Sequence, residues 1–243
     1  MITAQDILDN DPLLRVKVDP YGSSLDAEKG IWYGQHVCVA EGFALDDEAP
    51  KNPGKGIIDH QLRVEHYSVL NFGFLVLHVG GFPHSTMCQL TRHQDSKHLV
   101  QSLRYTGQRF LDKSLSIRET FYFRPLGTYQ DRKGNRYEYT AKEYVNDFWW
   151  CERACERYRT RIDQGFSEEH ARENSIPYNF RQNFAIAGTI EAVFHWLDQR
   201  SKKDSQLEIQ ALAILALQRL KETCPNLGQW YEENRFGRAR LSP

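Results

Sequence analysis

The chain of 243 residues is short of several things that would mark out its class. It has no charge of one sign in excess: 31 Lys and Arg stand against 32 Asp and Glu, a net charge of −1, so no overall field exists to hold a nucleic-acid backbone. An anion must instead be met by arginines clustered locally. It has no apolar run near the eighteen or so residues that cross a bilayer, and its first residues, MITAQDILDNDPLL, carry early acids and no leader pattern; this predicts a soluble, cytoplasmic protein. Its five cysteines, at 38, 88, 151, 155 and 224, include no CxxC pair and are odd in number, which fits reduced thiols better than a disulfide framework. Cys151 and Cys155 stand one helical turn apart, yet no second pair of ligands lies near in sequence to complete a metal site.

What is present, 40% apolar and 12% aromatic residues, suffices for one sizeable core, and a single domain over 1–243 is expected. Residues 1–64 are rich in Gly, Pro and Asp, with PKNPGKG at 50–56 read as a surface loop. YSVLNFGFLVLHV, 67–79, reads as a buried strand ending in a turn, and LSIRETFYF, 115–123, as a second strand. YQDRKGNRYEY, 129–139, reads as a hairpin. Apolar spacing then turns helical: one helix through Trp149 and Tyr158 closed by Gly165, a second capped by Ser167, a third from Phe184 to Arg200, and a fourth over 205–223. The fourth is apolar over so much of its surface that burial between subunits is expected. With no repeat visible, the fold class predicted is α+β, mainly antiparallel sheet flanked by long helices.

Chemistry concentrates in QLTRHQDSKHLVQSLRYTG, 89–107, which crowds Gln89, Arg92, His93, Gln94, Ser102, Arg104 and Tyr105 together. Arginine forks and a serine hydroxyl hold phosphate by charge-assisted hydrogen bonds, and glutamine offers the donor–acceptor pair of a pyrimidine edge. The same residues could equally form a solvated face with a histidine or two satisfied in passing. Order and spacing favour the first reading. Arg92-His93-Gln94, seven residues, Ser102, Leu103, Arg104, Tyr105 resembles the flavin-dependent thymidylate synthase motif Arg-His-Arg, seven residues, Ser, one residue, Arg, with Gln94 replacing the second arginine and Gln89 at the family's upstream glutamine.

Three further segments resemble that family in its own order over about 57–225. HWLDQRSKKDSQLEIQ places Arg200 at the family's essential arginine, HARENSIP places Arg172 at a nucleotide-binding arginine, and DHQLRVEH places His60 and Glu65 at the flavin and folate turn. The tail WYEENRFGRARLSP resembles cyanobacterial or phage members.

The resemblance implies methylation of dUMP at C5, with FAD as cofactor, and NADPH and methylenetetrahydrofolate as co-substrates. It also implies a homotetramer with sites shared between subunits, and no nucleic-acid or membrane partner. It implies dUMP binding by Gln89, Arg92, Ser102, Leu103, Arg104, Arg172 and Arg200, with Arg200 the catalytic group. Cofactor binding falls to His60, Glu65, Arg92, His93, Gln94, Thr189 and His195, and no resident metal is implied. Departures fall on the flavin side: Leu99 and Val100 stand where Asn and Glu are common, Thr189 and Glu191 where Asn and Arg are, and Asp204 where His is usual. Lys97, His98, Arg181 and His195 are the residues that could compensate. Modification of UMP or dCMP, and a catalytically silent nucleotide-binding protein, remain as alternatives.

Overall fold

The computed structural model describes residues 1–131 and 133–238. Helices α1 (Ala4–Asn10), α2 (Ala27–His36) and α3 (Pro53–His60), with strand β1 (Arg15–Val18), precede the long β2 (Phe74–Pro83). Then come α4 (His84–Leu90), β3 (Lys97–Val100) and three single-turn helices, α5 (Leu103–Thr106), α6 (Gln108–Leu111) and α7 (Ile117–Thr120). The hairpin β4 (Gly127–Gln130) and β5 (Arg136–Tyr139) leads into α8 (Ala141–Asp163) and α9 (Glu168–Glu173). Strand β6 (Arg181–Thr189) and helices α10 (Ile190–Arg200), α11 (Leu207–Thr223) and α12 (Pro225–Asn234) complete the described chain. The larger sheet runs β1-β2-β6-β3, and β4 and β5 form a separate antiparallel pair.

The chain forms two compact units. The first comprises Met1–Arg15, Val79–Leu90 and Leu99–Phe184; the second comprises Val16–His78, Thr91–His98 and Ala185–Pro243. The first is built on an aromatic core in which Phe110, Phe121, Phe123, Tyr158 and Phe180 pack with Cys151, Cys155 and the side chain of Leu103. Burial pushes the Cys151 thiol up to about 12 and the Cys155 thiol up to about 11, so these cysteines are inert core residues. None of the five cysteines is in a disulfide, and no metal-holding cluster exists among the described residues.

The second unit is a helical pack of α2, α3, α10, α11 and α12. Ile209, Leu212 and Leu220 of α11 are fully buried within it, against α10 and α12. The apolar stripe that suggested a helix between subunits is thus covered by the chain's own helices. Glu28 of α2 is buried as well, because one carboxylate oxygen accepts from the Leu227 amide (2.9 Å) and the other from Asn226 Nδ2 (2.7 Å), completing the first turn of α12.

Several expectations change on contact with the structure. The run from Tyr67 is not one strand: Tyr67–Phe72 is a 3-10 helix, where the Asn71 amide donates to the Ser68 carbonyl (3.2 Å), and β2 begins only at Phe74. Beyond the expected stop β2 continues through Gly81, whose φ of 81° suits glycine and where a Cβ would lie 2.1 Å from the Leu13 carbonyl oxygen. The proposed strand at 115–123 is a short helix, α7, set by a capping box in which Ser116 Oγ accepts from the Glu119 amide (3.3 Å) and Glu119 Oε2 from the Ser116 amide (2.8 Å).

Two segments were also divided in the wrong place. The helix placed at 184–200 divides into β6, with Gln182, Phe184, Ile186 and Gly188 buried on alternate positions, and α10, capped by Thr189 Oγ1 on the Ala192 amide (3.3 Å). The loop at 50–56 contains the start of α3, where Asn52 caps the Lys55 amide (3.2 Å) and Pro53 opens the first turn. The hairpin, the closure of α8 before Gly165 (φ 85°) and the extent of α11 agree with the sequence reading. Arg132 of the hairpin tip and the last five residues of the WYEENRFGRARLSP tail lie outside the described residues.

Candidate functional site

The first unit holds the second half of the motif. Ser102 caps α5, its Oγ accepting from the Arg104 amide (3.3 Å), and this fixes the two motif residues on one turn. Arg104 Nε pairs with Glu169 Oε1 of α9 at 2.6 Å, and α5 packs on α9. Arg172 lies one turn beyond Glu169 on α9, close enough that both arginines hold the Glu169 carboxyl below its usual range, after the backbone hydrogen bond that contributes most. So Ser102, Arg104 and Arg172, from two separate sequence segments, form one cationic corner. Leu103 gives its side chain to the core at 7% exposure, leaving only its backbone for a ligand. Gln89 sits half-buried in the last turn of α4, its amide 3.4 Å from the Ser85 carbonyl.

Two arginines of this unit behave differently from expectation. Arg181 is no flavin substitute: its guanidinium is buried, paired with Asp11 at 2.6 Å and bonded to the carbonyls of Arg118 and Gly81 at 2.7 Å each. Arg109, which sequence reading passed over, stacks on Phe110 and Phe180 and donates Nη1 to Gln101 (3.4 Å). Burial lowers Arg109 to about 10, and its Nε and Nη2 find no partner among the described residues. Nothing in the spacing of YTGQRF separates it from a surface arginine.

The second unit holds Arg92, His93 and Gln94 together with Arg200. His93 is buried, and its Nε2 accepts from Arg200 Nε at 2.8 Å across a separation of 107 residues. Burial chiefly, then the neighbouring Arg200 charge, pushes His93 down to about 4, so it stands as a neutral acceptor with its proton on Nδ1. Burial and Arg92 lower Arg200 in turn, which remains a cation. Arg92 and Gln94 are exposed.

Beside this pair, a cavity of about 590 Å³ is lined by Tyr67, Asn71, Asp95, Thr189, Glu191 and His195 among others. Its acidic groups are anchored. Asn71 donates to Glu191 and accepts from Thr189 Oγ1 (2.9 Å), while His195 Nδ1 pairs with Asp95 (2.9 Å) and His195 Nε2 accepts from Gln199 (2.7 Å). Deeper, Asp198 takes Tyr231 Oη at 2.7 Å and pairs with Arg235. Thr189 and His195 therefore do line this cavity, whereas His60 at the end of α3 and Glu65, exposed at φ 59°, are not part of its lining. Nor are Lys97, which donates to the Gln94 carbonyl (3.4 Å), or the half-buried His98. Asn71, Asp95 and Tyr67 were missed because they lie inside a run read as strand or among motif spacers.

This cavity bears on a flavin. Aromatic and aliphatic walls fit a flat ring, and the carboxylates of Asp95 and Glu191 fit hydroxyl or amine donors. A diphosphate does not fit there: among the described residues the one arginine lining it is already paired with Asp198, and Glu191 occupies the first turn of α10, where a phosphate would otherwise be attracted.

Comparison with known proteins accords with the motifs. The sequence profile of the family described as thymidylate synthase complementing protein matches residues 23–226. A flavin-dependent thymidylate synthase of Haloarcula marismortui is 26% identical over 211 residues, covering 82% of this chain and 84% of that protein. Among solved structures, the UMP/dUMP methylase PolB of Streptomyces cacaoi bound with 5-bromo-dUMP aligns with a TM-score of 0.74 at 20% identity, over 94% of this chain and 97% of that one. Thymidylate synthase X of Helicobacter pylori, solved with FAD and dUMP, aligns at 0.68 with 16% identity, over 90% and 98%. At those identities the structures establish the fold, the α+β arrangement expected from the sequence. With its profile matched from 23 to 226, the chain belongs to the family of thymidylate synthase complementing proteins, the flavin-dependent thymidylate synthases.

Proposed function

We propose that this protein is an FAD-dependent methyltransferase that converts dUMP to dTMP, with methylenetetrahydrofolate as one-carbon donor and NADPH as reductant, working as a cytoplasmic homotetramer. The observation that carries the reading is the bond between Arg200 and His93. It ties the remote arginine picked out by resemblance to the centre of the motif picked out by resemblance, 107 residues away. FAD, when bound, supplies the hydride chemistry. The chain's own residues bind and polarise the nucleotide. Ser102, Arg104 and Arg172 hold the phosphate by charge-assisted hydrogen bonds, Gln89 and Arg92 read the base, and Arg200 stabilises negative charge developing on the uracil ring. Tyr67, Thr189 and His195 hold the ring and hydroxylated part of FAD, whereas exposed Lys97 offers a cation to its diphosphate.

A second reading, C5 methylation of UMP, draws support from the likeness to a UMP/dUMP methylase. One experiment addresses both: the purified protein is loaded with FAD, reduced anaerobically by NADPH, and given folate with dUMP, UMP or dCMP. Methylated dUMP alone supports the synthase, methylated UMP as well supports the second reading, and nucleotide binding without flavin uptake overturns both in favour of a silent binding protein. Light scattering tests the tetramer, which a monomer would refute.

A further inference from the structure

We propose that His93 is the positioning residue of Arg200: a buried imidazole that fixes the plane of the guanidinium through its Nε. This rests on the reading of Arg200 as the group that polarises the nucleotide base, and departs from the expectation that His93 faces the flavin.

Three observations carry it. The geometry is direct, with Nε2 accepting from Arg200 Nε at 2.8 Å. The burial is nearly complete at 6% exposure, so water cannot take over the acceptor role, and rotation of the ring would leave the arginine's inner donor unpaired in a half-buried site. The surroundings disfavour the charged form: burial first, then Arg200, His195 and His98, oppose a proton on His93, while Asp95 favours one. A protonated His93 would set N–H against N–H and push the guanidinium away. The neighbouring His195, whose ring meets His93 edge-on with centroids 5.9 Å apart, keeps its own Nδ1 on Asp95 and so does not compete for Arg200.

An arginine held at Nε has lost rotation about its last bond, and its guanidinium is presented in one plane. Arg200 sits in the last turn of α10, and a long side chain loses rotamer freedom when its Nε is held. The hydrogen bond to His93 fixes the Nε end of this charge in one orientation, which is what electrostatic catalysis needs.

The test compares the full-length protein with His93→Gln, whose Oε1 can accept near the place of Nε2, and His93→Met, which fills the space without an equivalent acceptor. H93Q should keep kcat within about threefold of the parent, while H93M should lose about 10- to 100-fold in kcat with dUMP affinity changed less than about threefold. In protein carrying ¹⁵N-arginine and no flavin, the Arg200 Nε–H should exchange slowly with solvent in the parent and in H93Q, and rapidly in H93M. Equal kcat in H93Q and H93M, or fast exchange of that proton in the parent, overturns the proposal. Should H93M not fold, the exchange rate in the parent and H93Q decides alone. If the parent binds no pyrimidine nucleotide, the proposed function fails while the exchange measurement still judges the pair.

Discussion

The two units carry their charged clusters in different settings, one largely exposed and one lining a cavity. In the first, Arg104 pairs with Glu169, and Arg172 acts on the same carboxylate from one turn away. In the second, the cavity is lined by Asp95, Glu191 and Asp198, of which only Asp198 is matched by an arginine among the described residues. One corner is suited to a phosphate, the other to a ring bearing hydroxyls. The contrast teaches that one chain can offer two polar clusters of different chemistry, because each is set by the charges its own helices and strands bring together.

Each unit also contains one buried Asp–Arg pair, Asp11–Arg181 and Asp198–Arg235, and the largest effects are expected there. Removing one partner leaves an uncompensated buried charge, so Asp11→Ala and Asp198→Ala should each cost about 3–5 kcal/mol, seen as a fall in the urea midpoint. Asp198→Ala should cost the more, since Tyr231 also loses its acceptor. Equal, small losses would show that neither pair anchors its unit.

Next in size is Arg200→Ala, which should lower kcat by about 100- to 1,000-fold while dUMP binding falls much less. An equal loss of both would make Arg200 a binding group like those of the first unit and blur the comparison. Arg104→Gln sharpens it from the other side: dUMP affinity should drop about 10- to 100-fold while that of uncharged deoxyuridine stays put, by calorimetry. If both ligands weaken together, Arg104 does not read phosphate.

Stability against pH separates the units again. His93 has a folded value near 4 against an ordinary 6.5, so the unfolded chain binds the extra proton between these values. His93 thus favours the fold fully above pH 6.5, and that contribution is lost as pH falls towards 4. In H93Q this part of the acid slope should vanish, measured by urea midpoints from pH 7 to 4.5. The smallest effect is expected for Glu191→Gln, which removes one negative charge from the cavity and should tighten FAD about fivefold in a flavin fluorescence titration, while riboflavin, lacking phosphate, gains little. A tighter riboflavin as well would mean that Glu191 acts on the ring rather than on the diphosphate.

The sequence was most legible where a local rule acts alone. The hairpin at 129–139, the closure of α8 before Gly165 and the span of α11 follow from turn chemistry and helical spacing, and the structure agrees. Errors arose where one local signal overrode another. At 115–123 the alternation of Leu115, Ile117, Phe121 and Phe123 suggested a strand, but Ser116 and Glu119 close a capping box and the backbone turns. At 184–200 helical spacing was read into FAIAG, whose burial alternates with period two until Thr189 caps α10. At 50–56 the glycines spoke for a loop while Asn52 and Pro53 were already starting a helix.

For the site, residue type and order along the chain were enough to place Arg92, Ser102, Arg104, Arg172 and Arg200 in a known family, since that pattern is a property of the sequence itself. Partnership was not legible. That His93 turns to Arg200, that Arg181 is spent on Asp11, that Leu103 points into the core and that His60 and Glu65 stay clear of the cavity depend on which groups folding brings within 3 Å and which it dries. The physical reason is that hydrogen bonding and desolvation act through space at short range. The sequence by itself determined which charges and rings this protein has to work with, and only the tertiary structure decided which of them are already paired and which remain for a ligand.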